Sequence, residues 1–238
     1  MNRSRPDREP FSQDDMKRRS YKQFCGLAKA LDVDGERWTM LVVRNLLLGP
    51  LRYSDLLRGL PGITTNLLAK RLREMEQLDL IERVNAPGVD AGHVYRLTAL
   101  GAGLEPAVHA LGRWGWKQMT APAKGDHRSF DFLMVALRRR YLGDASIRAE
   151  LVADGTPYRV ILSGAHAEIA RGDVASPDVR LRGPGATLAR LFLDESARTR
   201  LPAEITAEGS SESVRALLAA FATSDVPVAK LASSRASR

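Results

Sequence analysis

A mainly helical unit closed by a β-hairpin, followed by an α+β unit, is the fold class this sequence predicts, and three observations predict it. From Tyr21 to about Asn85 the apolar side chains fall mainly at helical spacing, and Pro61-Gly62 leaves room for only a tight turn between the last two helical runs. Two strand-like runs, LIERVNA and HVYRLTA, then flank PGVDAG. Beyond residue 125, helical spacing gives way to short runs that each end at a turn residue.

The chain has 238 residues, enough for one large domain or two ordinary ones, and its 44% hydrophobic content suits a buried core. No apolar run approaches the roughly 20 residues that cross a bilayer. The opening MNRSRPDREPFSQDD lacks the apolar segment of a secretory signal, so a soluble cytoplasmic protein without membrane association is expected. Cys25 is the only cysteine, which excludes an intrachain disulfide and a multi-cysteine zinc site and leaves open a disulfide between two chains. The net charge of +8 is uneven: residues 1–124 hold 20 Lys/Arg against 14 Asp/Glu, and residues 125–238 hold 16 against 14. The first half therefore suits a polyanionic partner, although a basic surface also serves solubility.

Residues 1–15 are polar and aperiodic and read as a disordered tail. Four helical runs follow: YKQFCGLAKALDV, ERWTMLVVRNLLLG, YSDLLRGL and GITTNLLAKRLREME. Gly49-Pro50 stops the second, and Pro61-Gly62 stops the third. In the fourth, Leu68, Leu72 and Met75 share one stripe, Asn66, Lys70 and Arg73 point away, and Thr64 is placed to cap the first turn. After the hairpin, Thr98 can cap ALGAGLEPAVHALGRWGWKQM, where Pro106 moves the true helix start to near Leu104. Helices, tight turn, hairpin and closing helix make a winged helix-turn-helix over residues 16–122.

The span from Cys25 to Gly115 resembles the HxlR-type transcriptional regulators. The resemblance rests on the leading Cys25, on WTMLVVRNLLLGPLRYSDL from Trp38 to Leu56, on Leu60 to Glu76, on Val94-Tyr95-Arg96-Leu97-Thr98 with Gly101, and on Trp114-Gly115. Two departures stand out: Leu78-Asp79 replaces the family's usual Asp-Gly before the first wing strand, and PGVDAG carries less charge than the usual wing tip. The resemblance implies that the first and last helices pair two subunits and that some members sense oxidants or electrophiles through the leading cysteine. Cys25 is accordingly a candidate sensor, beside Lys22 and Lys29, while a small buried residue on the first helix is its plainer role.

From residue 126 to 223, DHRSFDFLMVALRRRYLG reads as a helix, and IRAELVADG, YRVILSG, AEIARG, DVRLRG and AEITAEGS as strands. ATLARLFLDESAR and SVRALLAAF have helical spacing. The expectation is an α+β domain with a small antiparallel sheet covered by helices, and residues 224–238 form a flexible tail. The order of parts resembles the sterol carrier protein type 2 domain, which implies a pocket for an apolar molecule. Phe132, Val135, Tyr141, Tyr158, Val160, Leu162, Leu191 and Phe192 are the candidate lining, and a dry core is the alternative.

His93, His109, His127 and His166 are scattered without metal-ligand spacing, and GPGATL at 183–188 lacks both the third glycine of a dinucleotide loop and a P-loop lysine. Without a nucleophile elbow or an ordered carboxylate pair, no catalytic residue, metal or cofactor is expected. The resemblance to the HxlR-type regulators implies a dimeric regulator that binds double-stranded DNA at an inverted repeat. Thr64 and Thr65 bring a helix N-terminus to phosphate, Asn66, Lys70 and Arg73 face base edges, and Arg71 reaches the backbone. Arg52, Tyr53, Arg83 and Arg96 are candidate phosphate contacts. An apolar effector would act through the second domain. The alternative is a lipid or acyl carrier that uses the winged helix only to dimerise.

Overall fold

Apolar residues on nearly every side of LVVRNLLL force one helix into the middle of the molecule, and the other elements are arranged about it. In the computed structural model, which describes residues 21–34, 38–86, 92–119 and 126–221, this helix is α2 (Thr39–Leu46), with Val42, Val43 and Leu46 buried. The expected tails 1–15 and 224–238 and most of the PGVDAG tip lie outside the described residues.

Ahead of α2 stands α1 (Gly26–Asp34), which begins five residues later than its apolar run suggested. Cys25 accepts the first helical amide through its carbonyl, and Tyr21 donates its backbone amide to Asp32 at 2.8 Å, so the preceding residues fold back as a cap instead of extending the helix. After α2 come β1 (Leu51–Arg52), α3 (Tyr53–Arg58), α4 (Thr65–Gln77) and the hairpin of β2 (Ile81–Asn85) and β3 (His93–Leu97). β1 adds to the hairpin as a third strand in the order β1-β3-β2, a strand too short to carry a periodic signal. The turn into β2 forms without glycine because Asp79 takes the left-handed conformation, φ 54°, which a short polar side chain tolerates. Thr98 then caps α5 (Ala99–Ala102), accepting the Gly101 amide, while its hydroxyl donates to the Asp79 carbonyl. α6 (Glu105–Gln118) starts after Leu104 with Pro106 in its first turn, where the missing N–H costs nothing.

The second unit packs α7 (Phe130–Arg140), α8 (Gly185–Leu193) and α9 (Ser211–Ala219) on one face of a sheet of β4 (Ser146–Ala153), β5 (Thr156–Ser163), β6 (His166–Arg171), β7 (Val179–Gly183) and β8 (Thr206–Glu208). The strand order is β6-β5-β4-β7-β8. The sheet is mixed, not antiparallel as expected, because β4 pairs parallel with β7. β4 to β6 run as a meander through tight turns such as Asp154-Gly155, which uses up one edge of β4. Residues 172–178 then carry the chain across the sheet to the other edge, and β7 arrives in the same direction as β4. Ala149, Leu151, Tyr158, Val160, Ile169, Val179 and Leu181 face the helices, and Arg148, Glu150, Arg159, Glu168 and Arg180 face the other way.

The two units share one buried apolar cluster, joined where α2 and α6 meet α7. Arg138 of α7 places Nη1 2.9 Å from both carboxylate oxygens of Glu105 and donates Nη2 to the carbonyls of Leu47 (2.9 Å) and Ile169 (2.7 Å). His109 lies 3.1 Å from the same Glu105. The His109 hydrogen bond, with the Arg138 guanidinium, holds the Glu105 carboxyl down to about 2 from an ordinary 4.5.

Two outcomes follow from this packing. A Cβ on Gly101 would lie 1.9 Å from the Leu80 carbonyl oxygen, so Gly101→Ala is expected to lower stability by about 1–3 kcal/mol in urea titration. The depressed Glu105 pKa means that its contribution is complete above pH 4.5 and is lost as the pH falls toward 2. The urea midpoint of Glu105→Gln should therefore change less between pH 5 and pH 3 than that of the unmodified chain.

Candidate nucleic-acid interface

α4 owes its orientation to four buried side chains. Leu68, Arg71, Leu72 and Met75 form its inner stripe, and Thr64, Thr65, Asn66, Lys70 and Arg73 are exposed on the remainder. The start of the helix is fixed twice. Thr64 Oγ1 accepts the Leu67 amide at 3.3 Å, and the Tyr53 hydroxyl donates to the Thr65 carbonyl at 2.6 Å. Tyr53 therefore commits its proton within the fold and ties α3 to α4. The first turn of α4 offers amides and hydroxyls beside two exposed cations, which is an arrangement suited to phosphate and base edges.

Arg71 does not join that surface. Its side chain is 3% exposed and its Nη1 lies 2.6 Å from Glu74 Oε2 on the following turn, so the expectation that it reaches a DNA backbone is corrected. Helical geometry is the reason, because position 71 falls three residues after Leu68 and shares the packed stripe.

On the wing, the register pairs Glu82 with Arg96 and Arg83 with Tyr95, so Arg83 and Arg96 project from opposite faces of the hairpin. Arg96 donates Nε to Glu82 at 2.9 Å. Arg83 is exposed on the face that also carries exposed Asn85 and His93. Arg52 is exposed on β1, directly ahead of α3. The structure thus brings together Thr64, Thr65, Asn66, Lys70 and Arg73, and leaves Arg96 paired on the hairpin.

Cys25 is exposed and free, which corrects its expected burial in the first helix. The backbone amides of Ala28 and Leu27 draw its thiol pKa down, since they donate toward the sulfur at the start of α1. Near it in sequence, Tyr21, Phe24, Leu27 and Leu31 are exposed apolar side chains, and Leu111 and Trp114 of α6 are exposed as well.

Among the candidate ligand residues, Val135, Tyr158, Val160, Leu162, Leu191 and Phe192 are buried in the layer between helices and sheet. Phe132 stands outside that layer, which corrects its place in the lining, whereas Tyr141 is half-buried and packs against the same cluster, its ring 5.9 Å from that of buried Phe221. The Phe132 ring lies under the Arg44 guanidinium at 3.9 Å, and the Tyr141 hydroxyl donates to the carbonyl of Gly164. A groove of about 410 Å³ opens on the opposite, polar face of the sheet, lined by Glu150, Asp154, Asp173 and Arg182 among others. No cluster of three or more His, Cys, Asp or Glu able to hold a metal occurs among the described residues. No described helix is long and apolar enough to cross a membrane.

A polar set that sequence reading missed lies where the two units meet. Asn45, 3% exposed, accepts Arg44 Nε and Nη2 on its Oδ1 at 3.1 and 3.0 Å and donates Nδ2 to the Gly59 carbonyl at 3.3 Å. Burial lowers the Arg44 guanidinium to about 10, against the opposing pull of the Asp131 carboxylate. The signal was present as Arg44-Asn45 inside an otherwise apolar helix, since buried polar groups require partners.

A family model described as HxlR-like helix-turn-helix matches residues 33–122. An HTH-type transcriptional regulator of Methanothermobacter thermautotrophicus is 37% identical over 110 residues, which cover 46% of this chain and 82% of that protein. The HTH-type transcriptional regulator YodB of Bacillus subtilis is 31% identical over 88 residues, 37% of this chain and 79% of YodB. An HTH-type transcriptional regulator of Mycobacterium tuberculosis is 38% identical over 96 residues, and the match spans only 60% of its length. The solved reduced form of YodB aligns with a TM-score of 0.36 at 30% identity, covering 39% of this chain and 92% of that one.

Proposed function

The chain belongs to the HxlR-like helix-turn-helix family, and from that premise we propose that it is a DNA-binding transcriptional regulator that acts as a homodimer on an inverted-repeat site. The observation that carries the proposal is α4: its N-terminus is held by Thr64 and Tyr53, and Asn66, Lys70 and Arg73 stand exposed opposite the buried stripe. Asn favours adenine edges, and Lys and Arg favour guanine edges, in a major groove wide enough for a helix. Thr64 and Thr65 meet phosphate, and exposed Arg52 and Arg83 are further candidates for the backbone.

Pairing of two copies is supported by the exposed apolar side chains of Tyr21, Phe24, Leu27 and Leu31 and of Leu111 and Trp114, since a monomer in water gains nothing from leaving such side chains uncovered. An exposed thiol with a lowered pKa at the start of α1 supports a redox role for Cys25. A five-stranded sheet with helices on one face supports the sterol-carrier-like reading of the second unit. Its apolar effector would enter the layer that holds Val135, Val160, Leu162, Leu191 and Phe192. A lipid carrier that uses the winged helix only for pairing has less behind it, because the relatives are named as regulators.

DNA selected by the purified chain from random fragments provides the test. Replacing both Lys70 and Arg73 by Ala is expected to cost about 1–3 kcal/mol for each side chain that reads a base, and to flatten the salt dependence for each that meets a phosphate. Circular dichroism and the dimer mass should stay unchanged, since both side chains are exposed. Undiminished binding by the double variant would remove α4 from this role.

A further inference from the structure

We propose, building on the regulator reading, that the α+β unit sets the seating of the recognition helix α4 by capping the C-terminal end of α2. The last carbonyls of a helix have no amide partner within it and carry the negative end of its dipole. At the end of α2 the second unit supplies the partners. Arg171 donates Nη1 to the Asn45 carbonyl at 3.2 Å and its backbone amide to the Leu48 carbonyl at 2.8 Å, and Arg138 donates Nη2 to the Leu47 carbonyl at 2.9 Å. Two guanidinium groups from α7 and β6 therefore finish a helix that belongs to the DNA-binding unit.

Each guanidinium is held from behind. Arg171 Nη2 lies 2.6 Å from Asp131 Oδ2, and the other oxygen of Asp131 accepts the Tyr158 hydroxyl at 2.6 Å. Tyr158 sits on the helix-facing side of the sheet, 4% exposed, with Phe130 edge-on to its ring. The packing of that layer thus fixes where Arg171 points. In the other direction, Asn45 passes the position of α2 to α3 through its hydrogen bond to the Gly59 carbonyl. A Cβ on Gly59 would lie 2.8 Å from Asn45 Nδ2, so the two groups fit only in this close arrangement. Leu60 to Ile63 then turn the chain, with Leu60 and Ile63 buried and the Ile63 amide on the Leu60 carbonyl at 3.1 Å, and α4 begins at once.

Making or losing this cap would give the end of α2 two states. Capped, the end of α2, Asn45 and the turn 59–63 are fixed. Uncapped, those carbonyls must turn to water, Asn45 loses its reference and the first turn of α4 loosens. A change in the layer around Tyr158 is carried by hydrogen bonds through Asp131, Arg171 and Asn45 as far as Gly59, and from there to α4 by the chain 60–64.

Hydrogen exchange of the full chain, together with affinity for a DNA fragment selected by the unmodified protein, tests this. In Arg171→Met, amides at 45–49 and 59–66 should exchange at least about tenfold faster while those of the wing strands 81–85 and 93–97 stay unchanged. DNA affinity should fall at least about fivefold with no change in salt slope, since no phosphate contact is removed. Tyr158→Phe keeps the ring and removes the hydroxyl, so it should show the same pattern at smaller amplitude, and it carries the test alone if Arg171→Met does not fold. Unchanged exchange at 45–66, faster exchange spread equally over the wing, or unchanged DNA affinity despite faster exchange at 45–66 would each overturn the proposal. If the unmodified chain selects no DNA, the regulator reading fails, and the exchange pattern still decides whether the cap exists.

Discussion

The rest of the structure depends on the burial of α2 and on where its terminal carbonyls find donors. Val42, Val43 and Leu46 bury the helix against α6 and α7, so no solvent side is left for its last turn. A buried carbonyl without a donor costs on the order of 1–3 kcal/mol. Arg138 and Arg171 meet that requirement, and their charges are met in turn by Glu105 and Asp131. One helix end thereby joins α6, α7 and β6 to the helix-turn-helix. Both carboxylates are half-buried, which keeps these ion pairs from full solvent screening.

Helical periodicity makes α4 legible in the amino-acid sequence alone, because Leu68, Leu72 and Met75 at i, i+4 and i+7 fix both the packed side and the exposed Lys70 and Arg73. The hairpin is legible for the same kind of reason, through period two and a Gly-rich tip. The same periodicity places Arg71 inside, three residues after Leu68, although Lys70 beside it is exposed. What stays hidden depends on partners distant in sequence. Arg138 opens a run of three arginines that reads as the basic end of a helix, and nothing local separates it from its neighbours. The parallel pairing of β4 with β7 follows from a crossover, whereas each strand taken alone shows only its own alternation.

The exposed apolar residues at and just before α1 and the packed layer around Tyr158 are different kinds of surface. Phe24 and Leu27 are exposed and gain from any cover, so they suit an interaction between preformed bodies. Val160, Leu191 and Phe192 are fully enclosed, and a ligand among them must displace existing contacts. Occupation of that layer is therefore coupled to rearrangement by necessity, while pairing through α1 needs none.

The hydrogen bonds at the end of α2 span 91 residues from Leu47 to Arg138 and 126 from Asn45 to Arg171. A ribosome that has finished the wing has not yet made either arginine. Translation at about 5–20 residues per second leaves the helix-turn-helix without its cap for several seconds. The helix-turn-helix is thus born before the part that completes it, and contacts of such long sequence separation are the slow ones to form. The emerging chain acquires its final α2 terminus only when β6 docks, so assembly of this half ends with a step belonging to the other.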